Sequence, residues 1–112
     1  MKQHEKVFQQ LCEAHLLRLG IMYLHLTTHV CRMIGGKFHT IAIGGMTGYP
    51  DLIVFIPKGK VLLVELKTEK GKLTDEQKII FPALESAGYP VHVIRDIQAF
   101  KNLIVNSFGG VI

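Results

Sequence analysis

Residues 48–67 read GYPDLIVFIPKGKVLLVELK, and this stretch decides the fold. It contains two near-continuous apolar runs, Leu52–Ile56 and Val61–Leu66, joined by the turn residues Pro57–Lys60. Short apolar runs around such a turn predict two antiparallel strands that are buried on both faces. We therefore expect these two strands at the centre of a sheet.

Three charged residues stand where this hairpin brings its ends together. Glu65 and Lys67 lie two positions apart, so their side chains leave the same face of the sheet, and Asp51 opens the neighbouring strand beside Glu65. Burying such charges is costly unless they are paired or bind a metal. The cluster predicts a divalent-metal site for phosphodiester hydrolysis, or else an ion pair of Glu65 and Lys67 at an exposed strand end.

Length and charge bound the class of protein. The chain has 112 residues, 48% of them hydrophobic, which fits one globular domain over residues 1–112. Its formal net charge of +4 permits a polyanionic partner such as DNA without demonstrating one. No apolar run reaches the roughly 18 residues that span a bilayer, so we expect no membrane association.

The cysteines and histidines do not have the spacing of metal ligands. Cys12 and Cys31 lack CxxC spacing and have apolar neighbours, which predicts buried thiols and a cytosolic protein. No HxH or HExxH pattern occurs. We expect four histidines to be surface residues or satisfied core residues: His4, His15, His25 and His92.

The rest of the chain predicts a mixed α/β order. The pattern gives a helix over 3–19, a strand over 21–26, a hairpin over 30–41 around Gly35-Gly36, a helix over 74–87, a parallel strand over 91–94 and a helix from Asp96 to about Asn106. Pro82 should kink or break the second helix, because proline removes a backbone donor. Inward-facing positions are predicted at Phe8, Leu11, Cys12 and Leu19 in the first helix, and at Ile80, Phe81, Leu84 and Ala87 in the second.

Two polar residues on the predicted helices each have two interpretations. Glu5 shares the inward face of the first helix, where it would reach the site, but a first-turn carboxylate also simply favours the helix dipole. Gln77 completes a capping box with Thr74, yet its helix face also points towards Glu65 and Lys67. Both alternatives stay open for both residues.

Together these motifs resemble the virus-type replication-repair nuclease (VRR-NUC) domain, a branch of the PD-(D/E)XK nuclease superfamily. The resemblance extends over about 90 residues and combines several motifs at the right spacing, which makes it more specific than a lone acid followed by ExK. The motifs that carry it are Glu5 with Phe8 and Gln9, the segment 48–52, the segment 64–74, Gln77 and the segment 87–93.

The resemblance implies a restriction-endonuclease-like α-β-β-β-α-β core, with a mixed sheet flanked by helices and here an extra β-hairpin. It implies Mg²⁺ or Mn²⁺ held by Asp51 and Glu65 with the Leu66 carbonyl, and by Glu5 through water. In the same comparison, Lys67 would act beside the attacking water and Gln77 would support the site.

The segment before Gly48 is longer than in compact members of that family. Its cationic positions, Arg32, Lys37 and His39, indicate a DNA-contacting arm, a dimer-forming arm or an ordinary hairpin. Lys70 and Lys72 are further candidate nucleic-acid contacts, although a solvated loop explains them equally simply.

The resemblance implies a metal-dependent, structure-selective DNA endonuclease in the cytosol of a bacterium or a phage-infected host. Small stand-alone members of the family resemble junction-resolving enzymes, so the expected substrate is branched DNA such as four-way junctions. Because such a junction needs two related cuts, a homodimer with two-fold symmetry is expected. A flap or general nuclease of the same fold is the alternative within the enzymes. A non-catalytic DNA-binding or assembly module is the alternative outside them.

Overall fold

The computed structural model describes residues 3–26, 29–42 and 48–109 of the chain. The elements in chain order are α1 (Gln3–Arg18), β1 (Tyr23–His25), β2 (His29–Ile34), β3 (Lys37–Ala42), β4 (Leu52–Ile56), β5 (Lys60–Leu66), α2 (Asp75–Ser86), β6 (Val91–Ile94) and α3 (Ile97–Ser107). This is the predicted α/β order with the extra hairpin, and the element bounds agree closely with those expected. The glycine-rich approach at Gly44 and Gly45 lies outside the described residues.

The main sheet has four strands in the order β1-β4-β5-β6. The pairs β1–β4 and β4–β5 are antiparallel, whereas β5–β6 is parallel, as expected for two strands separated by a helix. In register, Leu52 lies opposite Val64, and Leu66 lies opposite Ile94. The start of β4 and the ends of β5 and β6 therefore meet at one edge of the sheet.

The predicted hairpin forms a second, two-stranded sheet. Strands β2 and β3 pair antiparallel around Gly35-Gly36. Both glycines have positive φ, 58° and 80°, which is the conformation that a two-residue hairpin turn requires. The double glycine thus explains where the chain reverses.

The core lies between one face of the main sheet and the helices α1 and α3. Alternate positions of β4 and β5 point to it, and so do two residues from each helix. Its buried members are Cys12, Leu16, Ile21, Leu52, Val54, Ile56, Val64, Leu66, Phe100 and Ile104. Because side chains alternate along a strand, Glu65 leaves β5 on the opposite face, towards α2.

The expectation that β4 and β5 are buried on both faces is wrong for part of their length. Ile53 and Leu63 are half-buried, and Phe55 and Val61 are 37% and 39% exposed. Helix α2 has only 12 residues and packs beside β6, with Phe81 buried under it. Helix α2 covers the face of the sheet opposite the core only near Glu65, at the end of β5. Burial on both faces is therefore limited to that end of the strand.

Two of the predicted inward positions on the first helix are exposed. Leu11 is 50% and Leu19 is 38% exposed, whereas Leu16 is fully buried. The buried stripe follows four-residue steps through Cys12 and Leu16, with Phe8 packed against it, and Leu11 lies one helical position to the side. Leu19 falls beyond the end of α1 at Arg18.

Helix α2 runs unbroken through Pro82, so a broken turn is wrong, whereas the alternative of a kink at Pro82 stays a prediction. Pro82 and Lys78 are both exposed. The Lys78 carbonyl, which loses its helical donor to the proline ring, can therefore be hydrated by solvent. Ala87, which was expected to face inward, is exposed because it is the C-cap of this helix, whereas Ile80 and Leu84 are half-buried.

His15 does not fit the expectation of a surface residue or a satisfied core residue. Its ring packs edge-on to Phe100, with ring centroids 6.3 Å apart at 74°. Neither ring nitrogen has a hydrogen-bond partner within the described ranges. Burial, with the charges of Lys101 and Arg18, lowers the pKa of His15. Cys12, in contrast, is the buried free thiol that was expected, and burial raises its pKa to about 12.

Over the residues that the structure describes, no helix combines the length and the apolar character needed to cross a membrane.

Gly48 lies close against Glu76 of α2 just before the chain enters β4, and this contact can be tested. Gly48 has φ +91°, and a Cβ there would lie 2.9 Å from the Glu76 Cβ and 3.0 Å from its carbonyl carbon. We expect Gly48→Ala to lower the free energy of unfolding by about 2–4 kcal/mol, from backbone strain plus overpacking.

Gly59→Ala is the matched control, since Gly59 also has positive φ (+79°) but a Cβ there would meet nothing within 4 Å. Strain alone should cost that variant about 1 kcal/mol. Urea unfolding of both variants measures the difference, and equal losses would show that the Glu76 contact is unimportant.

Candidate active site

Asp51 is fixed at the end of β5 by a backbone hydrogen bond. It is half-buried and follows the fully buried Pro50. Its Oδ2 accepts a hydrogen bond of 2.9 Å from the backbone N–H of Leu66. This bond continues the β4–β5 ladder beyond Leu52 and places the Asp51 carboxylate beside Glu65, as the hairpin predicted.

Glu65 shares one carboxylate oxygen between two neighbours. Its Oε2 lies 3.3 Å from the Lys67 Nζ and accepts a 2.9 Å hydrogen bond from the Gln77 Nε2. Glu65 is 3% exposed and Lys67 is 9% exposed. The ion pair is therefore buried, and the alternative of a pair at an exposed strand end is wrong.

Gln77 makes the capping contact and also reaches Glu65, so its side chain takes part in both of the arrangements that the sequence left open. Its Oε1 accepts a 3.0 Å hydrogen bond from the Thr74 backbone N–H, while the Thr74 Oγ1 accepts one of 3.1 Å from the Gln77 N–H. This is a complete capping box at the start of α2. The capping bond uses only the carbonyl end of the amide, so the Nε2 end remains free to bind Glu65.

The second oxygen of Glu65 is unpartnered. Oε1 is buried and has no hydrogen-bond partner within the described part of the chain. A buried carboxylate oxygen without a donor is costly, and a cation or a water bound to it would remove that cost. The site thus has one oxygen that its protein neighbours do not satisfy.

Burial raises the pKa values of both carboxyl groups. For Glu65, burial and then the nearby Asp51 charge raise the pKa to about 7, against the opposing effects of Lys67 and Gln77. For Asp51, burial raises the pKa, although the Leu66 N–H and the charges of neighbouring His25 and Lys67 oppose it. A bound cation would reverse both effects.

Glu5 and His25 lie at the rim of this cluster. The charge of Glu5, which is half-buried on α1, adds to the rise in the pKa of Asp51, and the charge of His25 opposes it. Both residues are therefore within electrostatic reach of Asp51. His25 lies opposite Leu52 because β1 pairs with β4. These two strands are separated in sequence by the β2–β3 hairpin, so the sequence alone did not indicate that His25 lies near the site.

The donor set fits a hard divalent cation. Asp51 and Glu65 offer carboxylate oxygens, one of them unpartnered, which suits Mg²⁺ or Mn²⁺ better than softer metals. Within the described ranges, no group of three or more histidine, cysteine, aspartate or glutamate side chains comes close enough to enclose an ion. Two carboxylates suit an ion such as Mg²⁺ that retains several of its waters.

Arg95 is a second residue near the site that the sequence did not indicate. It follows β6 directly, and the Lys67 N–H donates a 3.0 Å hydrogen bond to the carbonyl of the preceding Ile94. The Arg95 Nη1 donates to the Thr68 carbonyl at 2.8 Å and to the Gly71 carbonyl at 2.6 Å. Arg95 therefore holds the loop that follows Lys67.

The predicted nucleic-acid contacts whose side chains the structure describes are exposed. Lys70 and Lys72 are exposed on the loop after Lys67, and Lys37 is exposed on the separate hairpin. The side chains of Arg32 and His39 lie outside the described part of the chain; the backbone register pairs these two positions across the hairpin.

The fold and the cluster together define a restriction-endonuclease-like protein, with a mixed sheet flanked by helices and acidic residues at the meeting edge of its central strands. The family model of the VRR-NUC domain matches residues 27–96. The chain belongs to the VRR-NUC domain family, which makes it a member of a nuclease family.

Two relatives extend this finding. "Putative nuclease p44" of Acyrthosiphon pisum secondary endosymbiont phage 1 is 32% identical over 89 residues, covering 80% of this chain and 94% of the phage protein. A solved VRR_NUC domain matches with a TM-score of 0.63 at 24% identity, over 89% of this chain and 92% of its own. The second likeness supports the fold.

The raised pKa of Glu65 gives a pH dependence of stability. The unfolded carboxyl ionises near 4.5 and the folded one near 7, so between these values the folded state keeps a proton that the unfolded state has lost. This contribution to stability is present at low pH and is lost as the pH rises through this window. Glu65→Gln should not show this loss. Between pH 4.5 and pH 7, we therefore expect its free energy of unfolding to rise by about 3 kcal/mol relative to that of wild type.

Urea unfolding at several pH values measures this gain, with exposed Glu85→Gln as the control. Added Mg²⁺ at pH 8 should stabilise wild type and the control but not Glu65→Gln. If the stability of Glu85→Gln changed with pH relative to wild type as much as that of Glu65→Gln, the raised pKa of Glu65 would not be the cause.

The two functions of Gln77 can be separated by a double-mutant cycle. Thr74→Ala removes only the cap and should cost about 1 kcal/mol of stability, independently of Glu65. Gln77→Ala also deprives a buried carboxylate of a donor, so we expect a coupling of about 1–2 kcal/mol between Gln77→Ala and Glu65→Ala. Unfolding of the single and double variants tests this, and a coupling for Thr74 as large as that for Gln77 would contradict it.

Proposed function

We propose that the protein is a Mg²⁺- or Mn²⁺-dependent DNA endonuclease that hydrolyses phosphodiester bonds in branched DNA, including four-way junctions, as a homodimer. The observation that carries this proposal is the unpartnered, buried Oε1 of Glu65 beside Asp51 and Lys67. Phosphodiester hydrolysis needs a site that gathers anionic oxygens around a cation, with a fixed positive charge nearby.

The residues that would hold the ion are Asp51 and Glu65, with the Leu66 carbonyl, and Glu5 through water. The ion supplies Lewis-acid polarisation of the phosphate and a water of lowered pKa. The support for this set is that Asp51 already binds the Leu66 N–H and that Glu5 lies within electrostatic reach of Asp51.

Lys67 supplies a positive charge that the fold fixes in place. Its ammonium group is nearly buried and lies against the Glu65 Oε2. From there it would donate a hydrogen bond to the attacking water or to a phosphate oxygen and stabilise the charge that develops there. An ammonium group is a compact charge with three N–H donors. Lys67 can therefore keep its ion pair with Glu65 and still donate a hydrogen bond to the substrate.

Gln77 is proposed as the positioning residue. Its amide is neutral, so it orients Glu65 without competing for the ion. By donating to Oε2, it leaves Oε1 as the oxygen available to a cation. The capping box fixes Gln77 in turn, which links the start of α2 to the orientation of the carboxylate.

The support for branched DNA and a homodimer comes from charge and architecture. The chain carries a net charge of +4, which favours a polyanion. An isolated two-stranded hairpin is only marginally stable in water, so the β2–β3 hairpin favours a partner surface, either DNA at its cationic positions or a second copy of the chain. Two related cuts across a junction suit a two-fold dimer. The free buried thiol of Cys12 supports a cytosolic location.

The test is a cleavage assay over four-way junctions, flaps, duplexes and single strands, with and without Mg²⁺. Asp51→Asn, Glu65→Gln and Lys67→Ala should each lower the cleavage rate by about 10²-fold or more. Lys60→Ala is the matched control, because Lys60 is an exposed cation at the opposite end of β5. Circular dichroism should show that all four variants are folded.

Junction cleavage that requires Mg²⁺, with a dimer mass in solution, is the expected result. Binding of DNA without cleavage of any substrate would instead support a non-catalytic module. Cleavage of flaps or plain duplexes in preference to junctions would support the broader nuclease. Full activity of the Asp51→Asn variant would contradict the proposed site.

A further inference from the structure

An open groove of about 530 Å³ lies beside the candidate active site. We call it the α1 groove, because one wall is α1 and the other is the loop 68–70. Both of its walls continue in sequence into candidate site residues: His4 on the α1 wall precedes Glu5, and Thr68 on the loop wall follows Lys67. This continuity is the reason for taking the groove as the path of a DNA strand whose phosphate occupies the site.

The groove has an apolar floor and a charged rim. Its floor is formed by Phe8 and Ile97, which are half-buried against the core, and by Leu11, which is 50% exposed. Phosphate groups need no apolar surface, whereas the face of a nucleobase does, and base stacking on an aromatic side chain is independent of sequence. The exposed position of Leu11, which the core does not explain, is accounted for by such a contact.

Arg95 and Lys70 supply positive charge at the rim, and Glu69 supplies one negative charge. All three hydrogen bonds of Arg95 use Nη1 and end on backbone carbonyls, including one of 3.4 Å to Glu69. In the part of the chain that the structure describes, no carboxylate pairs with Arg95. Its charge is therefore not neutralised, and its Nε and Nη2 remain available for a phosphate oxygen.

We propose that the α1 groove binds one unpaired nucleotide next to the scissile phosphate, with the base on Phe8, Leu11 and Ile97 and its phosphate at Arg95 and Lys70. This proposal rests on the proposed nuclease function, because it takes the strand path from the candidate active site. A base within a duplex is stacked between its neighbours and cannot reach the floor without being unpaired. The groove thus selects DNA with an unpaired nucleotide beside the cut, such as a branch point.

Binding of a short single strand tests the groove without requiring catalysis. We would titrate ¹⁵N-labelled protein in EDTA with a thymidine tetranucleotide and follow the amide shifts. The expected shifts lie in the segments 4–11, 68–71 and 95–97. An abasic tetranucleotide carries the same phosphates without bases, and it should bind about 10-fold more weakly.

Two variant pairs locate the interaction. Leu11→Gln should weaken binding of the tetranucleotide about 5-fold or more, whereas Leu17→Gln, at a position of the same helix that is also exposed but does not line the groove, should not. Lys70→Ala should weaken binding of both oligonucleotides, whereas Lys60→Ala should change neither. All four positions are on the surface, so the variants should fold, which their amide spectra verify.

Shifts confined to other surfaces, no binding, or equal affinity for the abasic strand would overturn the proposal. So would equal losses in Leu11→Gln and Leu17→Gln. Because the titration contains no divalent metal and measures no cleavage, its result is independent of whether the protein proves to cut DNA.

Discussion

The buried carboxylate of Glu65 is the constraint around which this end of the protein is organised. A carboxylate on a central strand must be neutralised or hydrogen-bonded, and here Lys67 and Gln77 share that task through a single oxygen. Helix α2 begins where it does because Thr74 and Gln77 cap it, and the same glutamine reaches Glu65. The arrangement still leaves Oε1 without a partner among the described residues. The protein thus keeps one costly feature that a cation would remove.

This constraint also explains the shape of the surrounding fold. The core between the sheet and the helices α1 and α3 is apolar and buried, and β4 and β5 both contribute side chains to it. On the opposite face, α2 covers the sheet only around Glu65. Farther along, Phe55 and Val61 remain partly exposed. The buried apolar core thus lies on one face of the sheet, and the Glu65 cluster lies on the other.

Local pattern was sufficient to predict much of this structure. The strands β4 and β5, the hairpin turn at Gly35-Gly36, the capping box and the parallel strand β6 depend on neighbouring residues, and all were predicted. The approach of Asp51 to Glu65 also follows from the hairpin alone. What the sequence could not supply depends on contacts between distant segments. His25 reaches Asp51 through the β1–β4 pairing, and Arg95 reaches its loop across 24 residues or more.

The wrong predictions have equally specific causes. Leu11 was assigned to the core because helical spacing alone does not distinguish the buried stripe from an adjacent position. Its side chain is instead half exposed and lines the α1 groove. Pro82 was expected to kink or break α2; the helix does not break, because the exposed position of Pro82 makes the lost hydrogen bond tolerable. In the first case the deviation marks a candidate binding surface, as is expected where local rules fail.

The most direct test of this account is the pKa of Glu65 itself, measured by ¹³C NMR of its side-chain carboxyl with and without Mg²⁺. The account predicts a pKa of about 7 in the metal-free protein and a clear decrease when the ion binds at Oε1. A metal-free pKa near the ordinary value of 4.5, or a titration curve that Mg²⁺ does not move, would contradict it.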